Sequence, residues 1–138
     1  MHRERSLLKS PATMANLSVV LELFPNAKFI HIKRNPYKVI PSQIHLHTTM
    51  VRKYGLESVT DEQIVDFALY QYQGYMEGFL KDRHLIRPDH LIEIRYEEFV
   101  ADRMRWLRTI YDTFILGEFG AMAGPLQEYI STIENYEP

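Results

Sequence analysis

Arg34 closes an apolar run and Ser42 follows it eight positions later, in the stretch "FIHIKRNPYKVIPS" (29–42). A guanidinium is a planar fork of N–H donors that matches phosphate oxygens, and a hydroxyl adds one more donor. Between them stand Asn35 and Pro36. Asn is a favoured helix cap, and Pro suits the first helical position, whose N–H would be unpaired anyway. The N-terminus of such a helix offers unpaired N–H groups and a partial positive charge, which suit an anion. Ser42 lies about 9 Å along an ideal helix from Pro36, within reach of an arginine side chain, and a bend at Pro41 would re-aim its hydroxyl. Arg34 and Ser42 are therefore candidates to grip one anion together. The plainer alternative is an arginine paired with a surface carboxylate and a serine bonded back to its own helix.

These residues need elements to position them. "SLLK" (6–9) is a short apolar stretch that supplies a first strand. In 12–24, Met14, Leu17, Val20, Leu21 and Phe24 recur at three- and four-residue intervals, one face of a helix. "KFIHIK" (28–33), rich in β-branched and aromatic residues, predicts a buried strand ending beside Arg34. A helix then runs from Pro36 to about Tyr54. Thr60 with Gln63 forms a capping-box pattern ahead of a long helix over 61–83. "RPDH" (87–90) is a turn and "LIEIRY" (91–96) a third strand. Residues 97–115 give a helical turn and then a helix whose inner stripe is Val100, Met104, Leu107, Ile110, Tyr111 and Phe114. Gly117, Gly120 and Gly124 predict a loose region before a last helix over 125–133. This order implies an α/β layered fold with mainly parallel strands and right-handed crossovers. Ligands bind such sheets beyond the carboxyl ends of the strands, where Arg34 stands.

Composition narrows the classes. The 138 residues suit one domain, are 46% apolar and carry a net charge of −2. No global basic field exists to bind nucleic acid, so an anionic ligand needs a local positive site. The absence of cysteine removes disulfides, thiol catalysis and thiolate metal sites, and fits a reducing compartment. No run of 18 apolar residues exists to span a membrane, and the N-terminal residues lack the pattern of a signal peptide. His45 and His47 face about 200° apart on a helix, so they are not a metal pair, and no metal site is expected. His31, inside a strand, reads as a packed core histidine. Phe67, Tyr70, Tyr75 and Phe79 recur at helical spacing; core packing is the favoured reading over an acceptor pocket.

At the level of motifs, three segments resemble the sulfotransferase family. "FPNAKFIHIKRNPYKVIPS" is similar to that family's 3'-phosphate motif: a strand, Arg, a short residue, often Pro, and Ser eight positions after the Arg. "LIEIRYEEFVADRMRWLRTIYDTF" resembles a second segment in which a strand enters Tyr-Glu-Asp-Leu and a helix. "LLKSPAT" resembles the Lys-Thr/Ser-Pro segment of bacterial and carbohydrate-directed members. The resemblance covers roughly 6–116 in the family's order. It implies a three-layer, P-loop nucleotide-kinase-like fold. It also implies sulfonate transfer from 3'-phosphoadenosine 5'-phosphosulfate (PAPS), without a metal, to a hydroxyl or amine of a carbohydrate, lipid or small molecule. Carried over by position, Arg34 and Ser42 hold the 3'-phosphate, Tyr96 lies near the adenine, and Lys9 stands near the reacting centre. His45 and His47, one to two turns past Ser42, are candidates to line the acceptor cleft and to serve there as the catalytic base. A cytoplasmic location is expected.

The sequence departs from the family in one large way. None of its six glycines builds the Lys-Ser-Gly-type loop that cradles the 5'-phosphosulfate in relatives. The expectation is therefore a single partial domain over 1–138, shortened at both ends, that carries the 3'-phosphate half-site and is inactive alone. Asn35 replaces a frequent Asp, and Ser10-Pro11-Ala12 stand where cytosolic members place a histidine. Two other readings stay open: a non-catalytic module that binds 3'-phosphonucleotides, and an unrelated α/β interaction domain.

Overall fold

A computed structural model describes residues 6–133. The chain is α/β, mostly helical, with one parallel two-stranded sheet among the described residues. It forms two compact units. A helical unit comprises the residues up to Ala27 together with Asn35–Ile86, and a strand unit comprises Lys28–Arg34 with the residues from Arg87 on.

In the strand unit, β1 (Phe29–Lys33) pairs with β2 (Leu91–Arg95), Phe29 opposite Leu91 and Lys33 opposite Arg95. Alternation sends Ile92 and Ile94 to one face, where Ile110 and Phe114 of α5 (Arg103–Phe114) bury them. Burial of each such side chain contributes about 1.5–3 kcal/mol. Phe99, from α4 (Tyr96–Ala101), and Trp106 close the sides of this cluster. Asp102 caps α5 by accepting the Arg105 N–H at 2.9 Å. Lys28 donates to the Phe114 carbonyl at the other end of that helix, where a cation suits the dipole. α6 (Phe119–Thr132) follows, with Phe119 buried and edge-on to Tyr111. Ahead of β2, a two-pronged hydrogen bond from Arg87 holds the Asp89 carboxyl below its usual range.

The helical unit starts with a 3₁₀ turn, Pro11–Asn16, which continues into α1 (Leu17–Leu23). α2 (Pro36–Tyr54) packs on α3 (Asp61–Asp82). α3 buries Ile64, Ala68 and Phe79 along one stripe. Thr60 accepts from the Gln63 N–H while the Gln63 side chain accepts from the Thr60 N–H, so both arms of the capping box form. Thr60→Ala is expected to cost about 1 kcal/mol, read as a lower urea midpoint at unchanged slope.

Three expectations are corrected. Residues 6–9 form no strand: Leu7 and Leu8 are 90% and 77% exposed, and no strand among the described residues pairs with them. β1 is not buried on both faces, because Ile30 and Ile32 are 40% and 49% exposed. β2 is its one hydrogen-bonded neighbour among the described residues, and the helix cluster covers β2. The region after α5 is not loose throughout, since α6 begins at Phe119 and carries Gly120, Gly124 and Pro125 inside it. The buried Phe119 anchors the early turns that helix propensity alone disfavours.

Candidate functional site

The residues that could hold an anion gather where the two strands end. Lys33 and Arg95 are opposite one another as the last pair of the ladder. Each has an acid: Lys33 Nζ lies 3.4 Å from Glu93, and Arg95 Nε lies 3.9 Å from Glu98. One residue further on, the pattern changes. The Arg34 guanidinium carbon sits over the Tyr96 ring, 4.4 Å from its centroid. No carboxylate among the described residues pairs with Arg34. Its face is satisfied by an aromatic ring, and its in-plane N–H donors are not consumed by an acid. Both side chains are half-buried.

Behind this strand end, His31 is buried, with Nδ1 3.2 Å from Glu93 Oε1. The sequence placed His31 in the core but missed its acid. The signal was there: "IHI" and "IEI" are the centres of the two five-residue strands, and they pair in register, His31 opposite Glu93.

In the helical unit, Ser42 is exposed on α2 and its hydroxyl has no hydrogen-bond partner among the described residues. Thr48 and Thr49 of the same helix do bond back, to the carbonyls of Ile44 and His45 at 2.8 and 2.9 Å. The ordinary alternatives for Arg34 and for Ser42 are thus both unrealised. One part of the anion argument is revised. The first turn of α2 has no spare amides: Pro36 has none, Asn35 Oδ1 accepts from Tyr37, and the Asn35 carbonyl accepts from Lys38 and Val39. The Asn35 cap that fixes the helix start occupies the amides that a phosphate would otherwise use, which leaves an anion only side chains and the dipole.

Lys9 lies exposed in the irregular segment ahead of the 3₁₀ turn. His45 is exposed. His47 is half-buried, Nε2 3.2 Å from Gln71 Oε1 and its ring edge-on to Phe67 at 5.0 Å. The aromatic series divides: Phe79 is buried, Tyr75 half-buried, and Phe67 and Tyr70 exposed. Among the described residues no cluster of His, Asp or Glu could hold a metal ion, and no helix is long and apolar enough to cross a membrane.

One residue beyond the parallel strand pair stands an arginine without an acid, and the helix that follows carries a serine with an open hydroxyl; ligands of α/β sheets bind beyond the carboxyl ends of the strands. A profile of the sulfotransferase family matches residues 2–117, and the chain belongs to that family. It is similar to the omega-hydroxy-beta-dihydromenaquinone-9 sulfotransferase Stf3 of Mycobacterium bovis (strain ATCC BAA-935 / AF2122/97), 36% identical over 135 residues. The same protein from Mycobacterium tuberculosis (strain CDC 1551 / Oshkosh) matches equally, at 36%. The match takes in 98% of this chain and 35% of each relative, so the chain spans about a third of their length. No solved structure matches.

Proposed function

We propose that the chain carries the 3'-phosphate half-site of a sulfotransferase that moves a sulfonate group from PAPS to a hydroxyl or amine, within a three-layer, P-loop nucleotide-kinase-like domain. The acceptor oxygen or nitrogen attacks sulfur, the bond from sulfur to the 5'-phosphate oxygen breaks, and adenosine 3',5'-bisphosphate departs. Such a transfer needs in-line positioning and neutralisation of charge on the equatorial and leaving oxygens. Arg34 and Ser42 bind the 3'-phosphate, Lys9 neutralises charge at the transferred group, and His45, whose ring is less engaged than that of His47, is the better candidate to take the acceptor proton. The relatives are named for a hydroxylated menaquinone, which favours a lipid hydroxyl as acceptor over a carbohydrate or small alcohol.

The observation that carries this reading is the strand-end arginine without an acid. Titration of the chain with adenosine 3',5'-bisphosphate and with adenosine 5'-phosphate tests it. One arginine contact to the extra phosphate is expected to favour the bisphosphate by about tenfold or more. Equal affinities would remove the basis for a 3'-phosphate site.

A further inference from the structure

The ladder that pairs Lys33 with Arg95 places Arg34 and Tyr96 next to one another one step beyond its end. The strand-end cations differ in what holds them. Lys33 and Arg95 lie against carboxylates, Glu93 and Glu98, whereas Arg34 lies against a ring. The difference matters for an anion site. A carboxylate occupies N–H donors and must be displaced before a phosphate can take them; a ring engages the guanidinium face and leaves the donor edge available. An unsupported arginine at a strand end also loses rotamer freedom on binding, a cost that preorganisation removes.

We propose that Tyr96 is a positioning residue for Arg34: its ring holds the guanidinium in the pose that receives the 3'-phosphate. This rests on the reading of Arg34 as a ligand of that phosphate. It differs from the role that the family resemblance gives Tyr96, near the adenine, and the two roles make opposite predictions. A ring that acts through Arg34 affects only ligands that carry a 3'-phosphate. A ring that touches adenine affects every adenine nucleotide alike. The phenol oxygen has no part in the stack, so phenylalanine should serve as well as tyrosine.

The test compares adenosine 3',5'-bisphosphate with adenosine 5'-phosphate by titration of the full chain, followed by NMR. Tyr96→Leu is expected to weaken the bisphosphate about three- to tenfold, from loss of one cation–π contact, and to leave the monophosphate unchanged. Tyr96→Phe should restore wild-type affinity. In an Arg34→Ala background, Tyr96→Leu should have no further effect. Equal weakening of both nucleotides, or an undiminished effect without Arg34, would overturn the proposal. If instead Arg34→Ala leaves the preference for the bisphosphate intact, the 3'-phosphate reading itself fails. The stack is also read without ligand or substitution, as a ring-current displacement of the Arg34 Nε–H resonance in the unsubstituted chain. A random-coil shift there would overturn the proposal even if Tyr96→Leu failed to fold. Tyr96→Met, a flexible filler of similar bulk, supplies the second variant for the titrations.

Discussion

Arg34→Ala is expected to weaken adenosine 3',5'-bisphosphate binding by about ten- to a hundredfold while leaving the chain folded. Hydrogen bonds to a charged partner contribute about 1.5–3 kcal/mol, and each 1.4 kcal/mol is a factor of ten in affinity. The fold should tolerate the change because Arg34 has no carboxylate to strand; what it loses is a partly exposed cation–π contact of about 0.5–1 kcal/mol. Lys33 or Arg95 would be a poorer target for the same experiment. Removing either breaks an ion pair, Lys33–Glu93 or Arg95–Glu98, so stability and affinity would change together. Arg34→Lys should keep part of the affinity, since an ammonium restores the charge but not the planar fork. Calorimetric titration beside a thermal melt separates the two effects. A large fall in melting temperature, with binding unchanged in the folded fraction, would assign Arg34 to structure and not to the ligand.

Much of the strand end was legible because several signals agree there. "NP" marks a cap and a first helical position, and α2 begins at Pro36 with Asn35 capping it. "TDEQ" marks a capping box, and both of its bonds form. Where one signal stood alone, tertiary context decided otherwise. "SLL" has a strand's composition, but a strand exists only with a partner, and none among the described residues lies beside it. "FIHIK" is apolar at three of its five positions, yet Ile30 and Ile32 stay partly exposed because burial depends on what covers the face, which composition does not encode. Three glycines suggested looseness after α5, but Gly120 and Gly124 are helical; the turn is made at Ile115, which takes the left-handed conformation at φ 53°, and at Gly117, which follows at φ 116°. Nothing in a β-branched residue signals that conformation, which costs it about 1–2 kcal/mol. The Arg34–Tyr96 stack was hidden for another reason. Each residue was singled out for a ligand, but their contact depends on the register of two strands far apart in sequence.

Gly78→Ala is expected to destabilise the chain by about 1–3 kcal/mol, although alanine is the better helix former. A β-carbon at position 78 would stand 2.5 Å from the Ala15 α-carbon and 3.0 Å from its carbonyl oxygen. Those are backbone atoms of the 3₁₀ turn, so no side-chain rotation relieves the clash, and α3 and the turn must separate. Gly74, one turn earlier in α3, provides the control. Beyond its own chain neighbours and the local helix backbone, nothing lies within 4 Å of the β-carbon it would carry, so Gly74→Ala should stabilise by about 0.5–1 kcal/mol through helix propensity alone. Urea unfolding of both variants should therefore show midpoints displaced in opposite directions; displacement in the same direction would mean that α3 and Ala15 are not in close contact. The consequence reaches the segment ahead of the turn as well. The turn that meets Gly78 is entered directly from the segment carrying Lys9, so a turn pushed off α3 would carry that lysine with it.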